Sequence, residues 1–228
     1  CGTMVVKLEG FAGCYALDGL TGKIRKMIIG EAMALRAFLH FDMLRLFGPV
    51  YATNKADLSI PYNTVYSISA TSLLPATQVV EKVLKDLDEA ERLLGESDPI
   101  IEEGPQNQDS EDGLNYYTYR TQRLNYYAVK ALQARAYLWF GDTQKAYEAA
   151  QAVITAKDED GNPRFRLGTA GDFSEGRFTL PCEQVFSLYR FDLQDKYTEL
   201  FSGDGLYKGT KETTVKKELY GNTGSDIR

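Results

Sequence analysis

Residues 30–49 read GEAMALRAFLHFDMLRLFGP. After Gly30 the run has no glycine or proline until Phe47-Gly48-Pro49, so it reads as a helix over 30–47. Glycine suits the position just past a helix end, and proline cannot continue the helix. On a helical wheel Glu31, Asp42 and Arg45 fall within about 60° of one another, with Arg36 and His40 roughly opposite. Everything between these two thin polar stripes is apolar. A surface helix has one wet face, whereas two apolar flanks call for neighbours on both sides.

His40 is the only histidine. Its spacing from Asp42 puts the two side chains about 200° apart, so they form no catalytic couple. Arg36 lies beside His40, and Asp42 beside Arg45. Buried ion pairs or hydrogen bonds between helices account for such groups better than catalysis does, and no G-x-S-x-G motif accompanies them.

Outward from this helix, residues 48–74 form a long insert carrying Tyr51, Tyr62 and Tyr66 among Asn, Ser, Thr and Pro; loops of such length are often functional. A second helix over 76–94 has one apolar stripe (Val79, Val80, Val83, Leu87, Ala90, Leu94). Its wet side carries the i,i+4 pairs Glu81/Lys85 and Asp88/Arg92. An acidic connection over 95–120 ends in LNYYTYR. A third helix, 121–140, recurs in small residues at Ala128, Ala131 and Ala134. Gly141-Asp142 breaks it, with Asp142 a good N-cap for a fourth helix over 143–156. Inner and outer helices alternate, as in stacked αα-hairpins. The hairpin from Arg123 to Ile154 is close to the roughly 34 residues of a tetratricopeptide repeat. Beyond 157 the chain turns irregular, with EQVFSLYRF (183–191) a short extended or β segment and a Gly-, Lys- and Thr-rich tail over 202–228.

With 228 residues, 43% of them hydrophobic, a core forms without staples. A net charge of -6 argues against nucleic acid, which needs a basic footprint. Cys1, Cys14 and Cys182 make no metal motif, and no run of about 18 apolar residues could span a membrane.

Two segments together resemble one family. GEAMALRAFLHFDMLRLFGP (30–49) is similar to the "GEA-x-x-LRA-aromatic-x-x-FDL-x-R-x-FG-x-P" segment of the RagB/SusD family, and AVKALQARAYLWFGDTQKAYEAAQAVI (128–154) to its second such segment. EQVFSLY (183–189) resembles the extended motif that follows, in the same order and spacing. The resemblance implies a lipid-anchored protein of the Bacteroidetes outer-membrane surface. It implies binding of oligosaccharide or a similar nutrient without catalysis, and delivery to a TonB-dependent SusC-like transporter. Family members are about twice this length, with a longer arm before the first helix and an irregular C-terminal half, so the chain reads as truncated. Cys1 stands where a mature member carries its acylated cysteine.

The expected fold is all-α, a tetratricopeptide-like αα-superhelix with irregular loops. It is taken as one domain over 1–228, with helical repeats over about 30–157 and an irregular extension over 158–228. Five tyrosines in the connections are the candidate ligand-binding residues: Tyr62, Tyr66, Tyr116, Tyr117 and Tyr119. A tyrosine ring offers flat contact area and a hydroxyl, which suits sugars. No catalytic residue, metal site or cofactor is expected. Glu102-Glu103 and Glu111-Asp112 read as a solvated acidic loop rather than a glycosidase pair. Asp158, Asp160 and Asn162 read as a turn, because the calcium-loop pattern needs a Glu where Thr169 stands. The alternative function is a tetratricopeptide-type adaptor binding a peptide or partner protein.

Overall fold

The structure, a computed structural model, describes residues 19–65, 69–105, 108–109, 116–175, 179–188 and 190–201. Cys1, Cys14, Tyr66, Glu111, Asp112 and the tail beyond 201 lie outside the described residues. The chain divides into two compact units, Cys1–Arg166 with Gln184–Ser187, and Leu167–Glu183 with Leu188–Arg228.

The first unit is built on helices α1 (Gly19–Phe47), α2 (Tyr51–Asn54), α3 (Ala76–Gly95), α4 (Tyr126–Phe140) and α5 (Thr143–Ile154), with single 3-10 turns at Pro99–Ile101 and Arg120–Gln122. Helix α1 packs on α3, α3 on α4 and α4 on α5. This is the expected all-α stack. Met27, Ala34, Ala37, Phe41 and Leu44 of α1 form one core with Val79, Val83, Leu87 and Leu94 of α3 and Val129, Leu132 and Ala136 of α4. Among the described residues no helix is long and apolar enough to cross a membrane.

Three expectations are corrected. Helix α1 starts at Gly19 rather than near residue 30. Gly30 lowers helix propensity, but it lets α3 approach closely: a Cβ there would meet Leu94 Cγ at 2.9 Å. Tertiary packing overrides the local penalty. Second, among the described residues α1 is covered on one apolar flank only. Leu35, Leu39 and Met43 on the other are 39%, 49% and 46% exposed. Third, the pair Asp88/Arg92 does not form. Arg92 bonds Glu89 at 2.6 Å and Glu96 at 3.1 Å, while Asp88 accepts from Gln133 Nε2 at 3.1 Å.

The helix ends follow local chemistry. Gly141 takes the left-handed conformation (φ 91°) that closes α4, and the Asp142 carboxylate accepts from Lys145 N–H at 3.1 Å to cap α5. Helix α4 starts only at Tyr126, because Asn125 caps it by accepting from Ala128 N–H at 2.9 Å. The Asn125 amide also donates to Val185 C=O at 2.8 Å, and Ser187 N–H donates to Thr121 C=O at 2.8 Å. These bonds hold 184–187 against the hairpin without making a strand. Among the described residues the only bridges are Leu58 with Pro75 and Lys157 with Pro163. The first closes the 48–74 insert on itself and carries Ile60 and Tyr62 into the core.

In the second unit, α6 (Ala170–Ser174) is capped by Thr169, whose N–H and hydroxyl both donate to Asp172 Oδ2 at 2.8 Å. A 3-10 turn (Pro181–Glu183) and α7 (Leu193–Phe201) follow.

Candidate functional site

The polar residues of α1 meet partners far away in sequence. Arg36, 6% exposed, donates through Nε and Nη2 to the two oxygens of Asp86 on α3, both at 2.6 Å. Tyr62 donates its hydroxyl to Asp86 Oδ2 at 2.5 Å. His40 bonds the Arg36 carbonyl through Nδ1 at 2.8 Å, and its Nε2 accepts from Asn63 N–H at 3.1 Å. Asp42 and Arg45 pair at 2.7 Å. Arg36 and His40 are thus committed to bonds within the fold, whereas the Asp42–Arg45 pair lies within α1 and is about a third exposed rather than buried between helices.

A second buried network meets α1 near its middle, at Glu31. Asp98 follows α3 and receives both arms of Arg120, from Nε at 2.8 Å and Nη2 at 2.9 Å. It also accepts from the backbone N–H of Ile100 at 3.1 Å and of Tyr126 at 2.9 Å. The third arm of Arg120 reaches Glu31 Oε1 at 2.6 Å. Burial pushes the pKa of Glu31 up against the opposing pull of Arg120. One carboxylate thus ties the 3-10 turn, the start of α4 and, through Arg120, helix α1 into a single rigid node. Charged hydrogen bonds of this kind are the strong ones when fully paired.

Beside this node opens a cleft of about 230 Å³. Asp98, Tyr117, Glu102, Glu103 and Lys23 are among the residues that line it. Arg164 fixes the rim by donating to the carbonyls of Ile101 at 2.5 Å and Glu102 at 2.6 Å. Burial and the nearby Glu103 charge push the Tyr117 hydroxyl up in pKa, so it stays a neutral donor and acceptor at ordinary pH. The cleft therefore offers an aromatic face, carboxylate acceptors and an ammonium donor within the span of one small ligand.

The five expected tyrosines separate. Tyr117 lines the cleft. Tyr116, its neighbour, is 38% exposed. Tyr119 is half-buried in the left-handed conformation (φ 53°) and donates to Asp109 at 3.1 Å. Tyr62 is 5% exposed, with its hydroxyl committed to Asp86 and its ring stacked on His40. Tyr66 lies outside the described residues. Asp98, which lines the cleft, and its partner Arg120 are not among the residues that the sequence singles out. An aspartate before proline (Asp98-Pro99) is a turn-cap signal, but nothing local marks Arg120 as its partner. Asp158 closes the expected turn, its carboxylate accepting from Asn162 N–H at 2.7 Å.

No protein-family model matches the chain. Over 66 residues it is 39% identical to a SusD-like protein of Formosa agariphila, a match that covers 29% of this chain and 12% of that protein. A SusD superfamily protein of Bacteroides thetaiotaomicron superposes with a TM-score of 0.58 at 24% identity, over 84% of this chain and 36% of the other. Two Bacteroides vulgatus structures are also similar. One is a candidate sugar binding protein (TM-score 0.57, 20% identity, 77% of this chain and 34% of the other). The other is a SusD superfamily protein (TM-score 0.55, 23% identity, 75% of this chain and 33% of the other). The chain spans about a third of the length of these solved structures. In fold the chain is thus similar to SusD superfamily structures, and in one stretch of 66 residues its sequence is similar to that of a SusD-like protein.

Proposed function

We propose that the chain captures an oligosaccharide, without altering it chemically, in the cleft beside Tyr117. The observation that carries this reading is the meeting of one aromatic ring with Glu102, Glu103 and Lys23 in a cleft of about 230 Å³. Sugar rings present an apolar C–H face that suits an aromatic platform, and hydroxyls that both donate and accept. The Asp98–Arg120 pair holds this lining in place before the ligand arrives, which lowers the ordering cost of binding. Likeness to a candidate sugar binding protein supports the ligand class. Attachment by a lipid to the outer-membrane surface, and delivery of the ligand to a TonB-dependent SusC-like transporter, complete the proposal. They rest on the resemblance of residues 30–49 and 128–154 to RagB/SusD segments.

Isothermal titration of the chain against a panel of neutral oligosaccharides tests the reading. One class should bind, and Tyr117→Ala should weaken it by about tenfold, the contribution of one stacked ring. Silence across the panel from the full-length protein would sink the proposal. The adaptor reading has one observation in its favour, the exposed row Leu35, Leu39 and Met43 at helical spacing on α1. It predicts peptide binding that Leu39→Asp abolishes, with no response to glycans.

A further inference from the structure

Trp139 is the only tryptophan of the chain. It is half-buried near the end of α4, its ring edge-on to Phe41 (centroids 5.8 Å apart) and tilted against Tyr51 (5.4 Å). Phe140 backs both, 5.2 Å from Trp139 and 5.3 Å from Tyr51. The two rings are therefore held in fixed orientation by the core. A cleft of about 270 Å³ opens beside them, with Arg45, Gly48, Pro49 and Val50 as its other walls.

Two chemistries meet there. Trp139 and Tyr51 supply aromatic surface. Arg45 supplies a donor fork: its Nη1 donates to Asp42 at 2.7 Å, its guanidinium stands 5.9 Å from the Phe41 ring, and its side chain is 35% exposed. An apolar peptide side chain would fill the aromatic part but leave the Arg45 donors unmatched. A phosphate would match Arg45 but leave the rings uncovered and face the negative end of the helix dipole. A pyranose ring matches both, with a C–H face for the rings and a rim of hydroxyls that donate and accept. The volume is just under the roughly 300 Å³ at which drug-sized pockets begin, which suits a single ring.

We propose that the cleft beside Trp139 is a second glycan subsite, taking one pyranose ring of a neutral oligosaccharide. This rests on the glycan reading above. Lys23 and Arg45, one lining each cleft, stand on the same helix 22 positions apart in the numbering, which separates these two residues by about 33 Å along α1. Short oligosaccharides fill each cleft independently. A chain long enough to span both gains through effective concentration.

The indole reads this cleft directly, because no other tryptophan contributes. The chain and its Tyr117→Ala and Arg45→Ala variants are titrated with malto-, laminari-, cello- and xylo-oligosaccharides, followed by tryptophan emission and by calorimetry. A saturating emission change with at least one probe is expected. Its dissociation constant should hold within about twofold in Tyr117→Ala, where the first cleft is lost, and rise about tenfold in Arg45→Ala, where a charged donor is lost. Circular dichroism confirms that both variants keep their helices. A probe that binds by calorimetry while Trp139 emission stays flat overturns the second subsite and leaves the Tyr117 cleft standing. Silence by both methods overturns both.

Discussion

His40 and Tyr62 lie ring on ring, centroids 4.1 Å apart and planes 29° from parallel. The contact joins α1 to the insert that follows it. Its chemistry requires a neutral imidazole with the proton on Nδ1, bonded to the Arg36 carbonyl, because Nε2 accepts from Asn63 N–H. Protonation would set one N–H against another.

This relationship makes stability depend on pH in one direction. Burial is the main force lowering the His40 pKa; the Arg36 charge adds to it, while the bond to the Arg36 carbonyl and the Asp86 charge oppose. The unfolded chain, with a pKa near 6.5, therefore binds the proton more readily than the native one. Stability contributed by the neutral ring is complete above about 6.5 and is lost as pH falls from there toward the native pKa. With a single histidine in the chain, its imidazole NMR signals titrate unambiguously, and the midpoint should fall below 6.5. His40→Gln should flatten this part of the urea stability profile. A native midpoint above 6.5 would contradict the proton placement.

Asp86 holds Arg36 and Tyr62 at once. Asp86→Ala strands a buried guanidinium and should cost about 3–5 kcal/mol in urea denaturation. Tyr62→Phe removes one hydrogen bond to a charged group and should cost about 1.5–3 kcal/mol. Replacing the pair together, Arg36→Met with Asp86→Leu, should recover most of the loss, since no buried charge is left alone.

Arg120 is fully buried, with three donors placed on two carboxylates. Arg120→Lys keeps the charge but cannot reproduce the bidentate fork. It should destabilise by about 3 kcal/mol or more, and hydrogen exchange should show the amides of Ile100 and Tyr126 losing protection. Retained protection at both amides would mean that Asp98 keeps its place without the fork.

Gly30→Ala tests the close approach of α1 and α3. The added Cβ would stand 2.9 Å from Leu94 Cγ and 3.3 Å from Leu93 Cβ. In an isolated helix the change is favourable by about 1 kcal/mol, but overpacking here should reverse the sign and cost about 1–3 kcal/mol. A thermal midpoint that rises instead would show that α3 can shift aside.

Much of the scaffold was legible in the residues. The breaks at Gly48-Pro49 and Gly141-Asp142 and the cap at Asp142 are local chemistry, and the structure places helix ends at them. The start of α1 at Gly19 rather than near residue 30 is not legible locally, since Gly30 lowers helix propensity and only the close approach of α3 accounts for it. Of the candidate site, Tyr117 could be named from NYYTYR, but its neighbours in the cleft could not. Tyr62 looks like Tyr117 in sequence, a ring in a polar loop. It ends in the core because Asp86, 24 residues away, takes its hydroxyl.

The sequence by itself determined the elements. Apolar period, caps and breakers act over one or two helical turns, so they are written where they operate. They sufficed for an all-α stack and for the two-stripe character of α1. Only the tertiary structure decided the partners: Arg36 with Asp86 across 50 residues and Arg120 with Glu31 across 89. It also decided which apolar flank of α1 stays open, and where Tyr117 and Trp139 border clefts. Helical periodicity specifies the face on which a side chain stands. Which group meets it there depends on how neighbouring helices pack, and that is settled by the shapes of distant side chains fitting together.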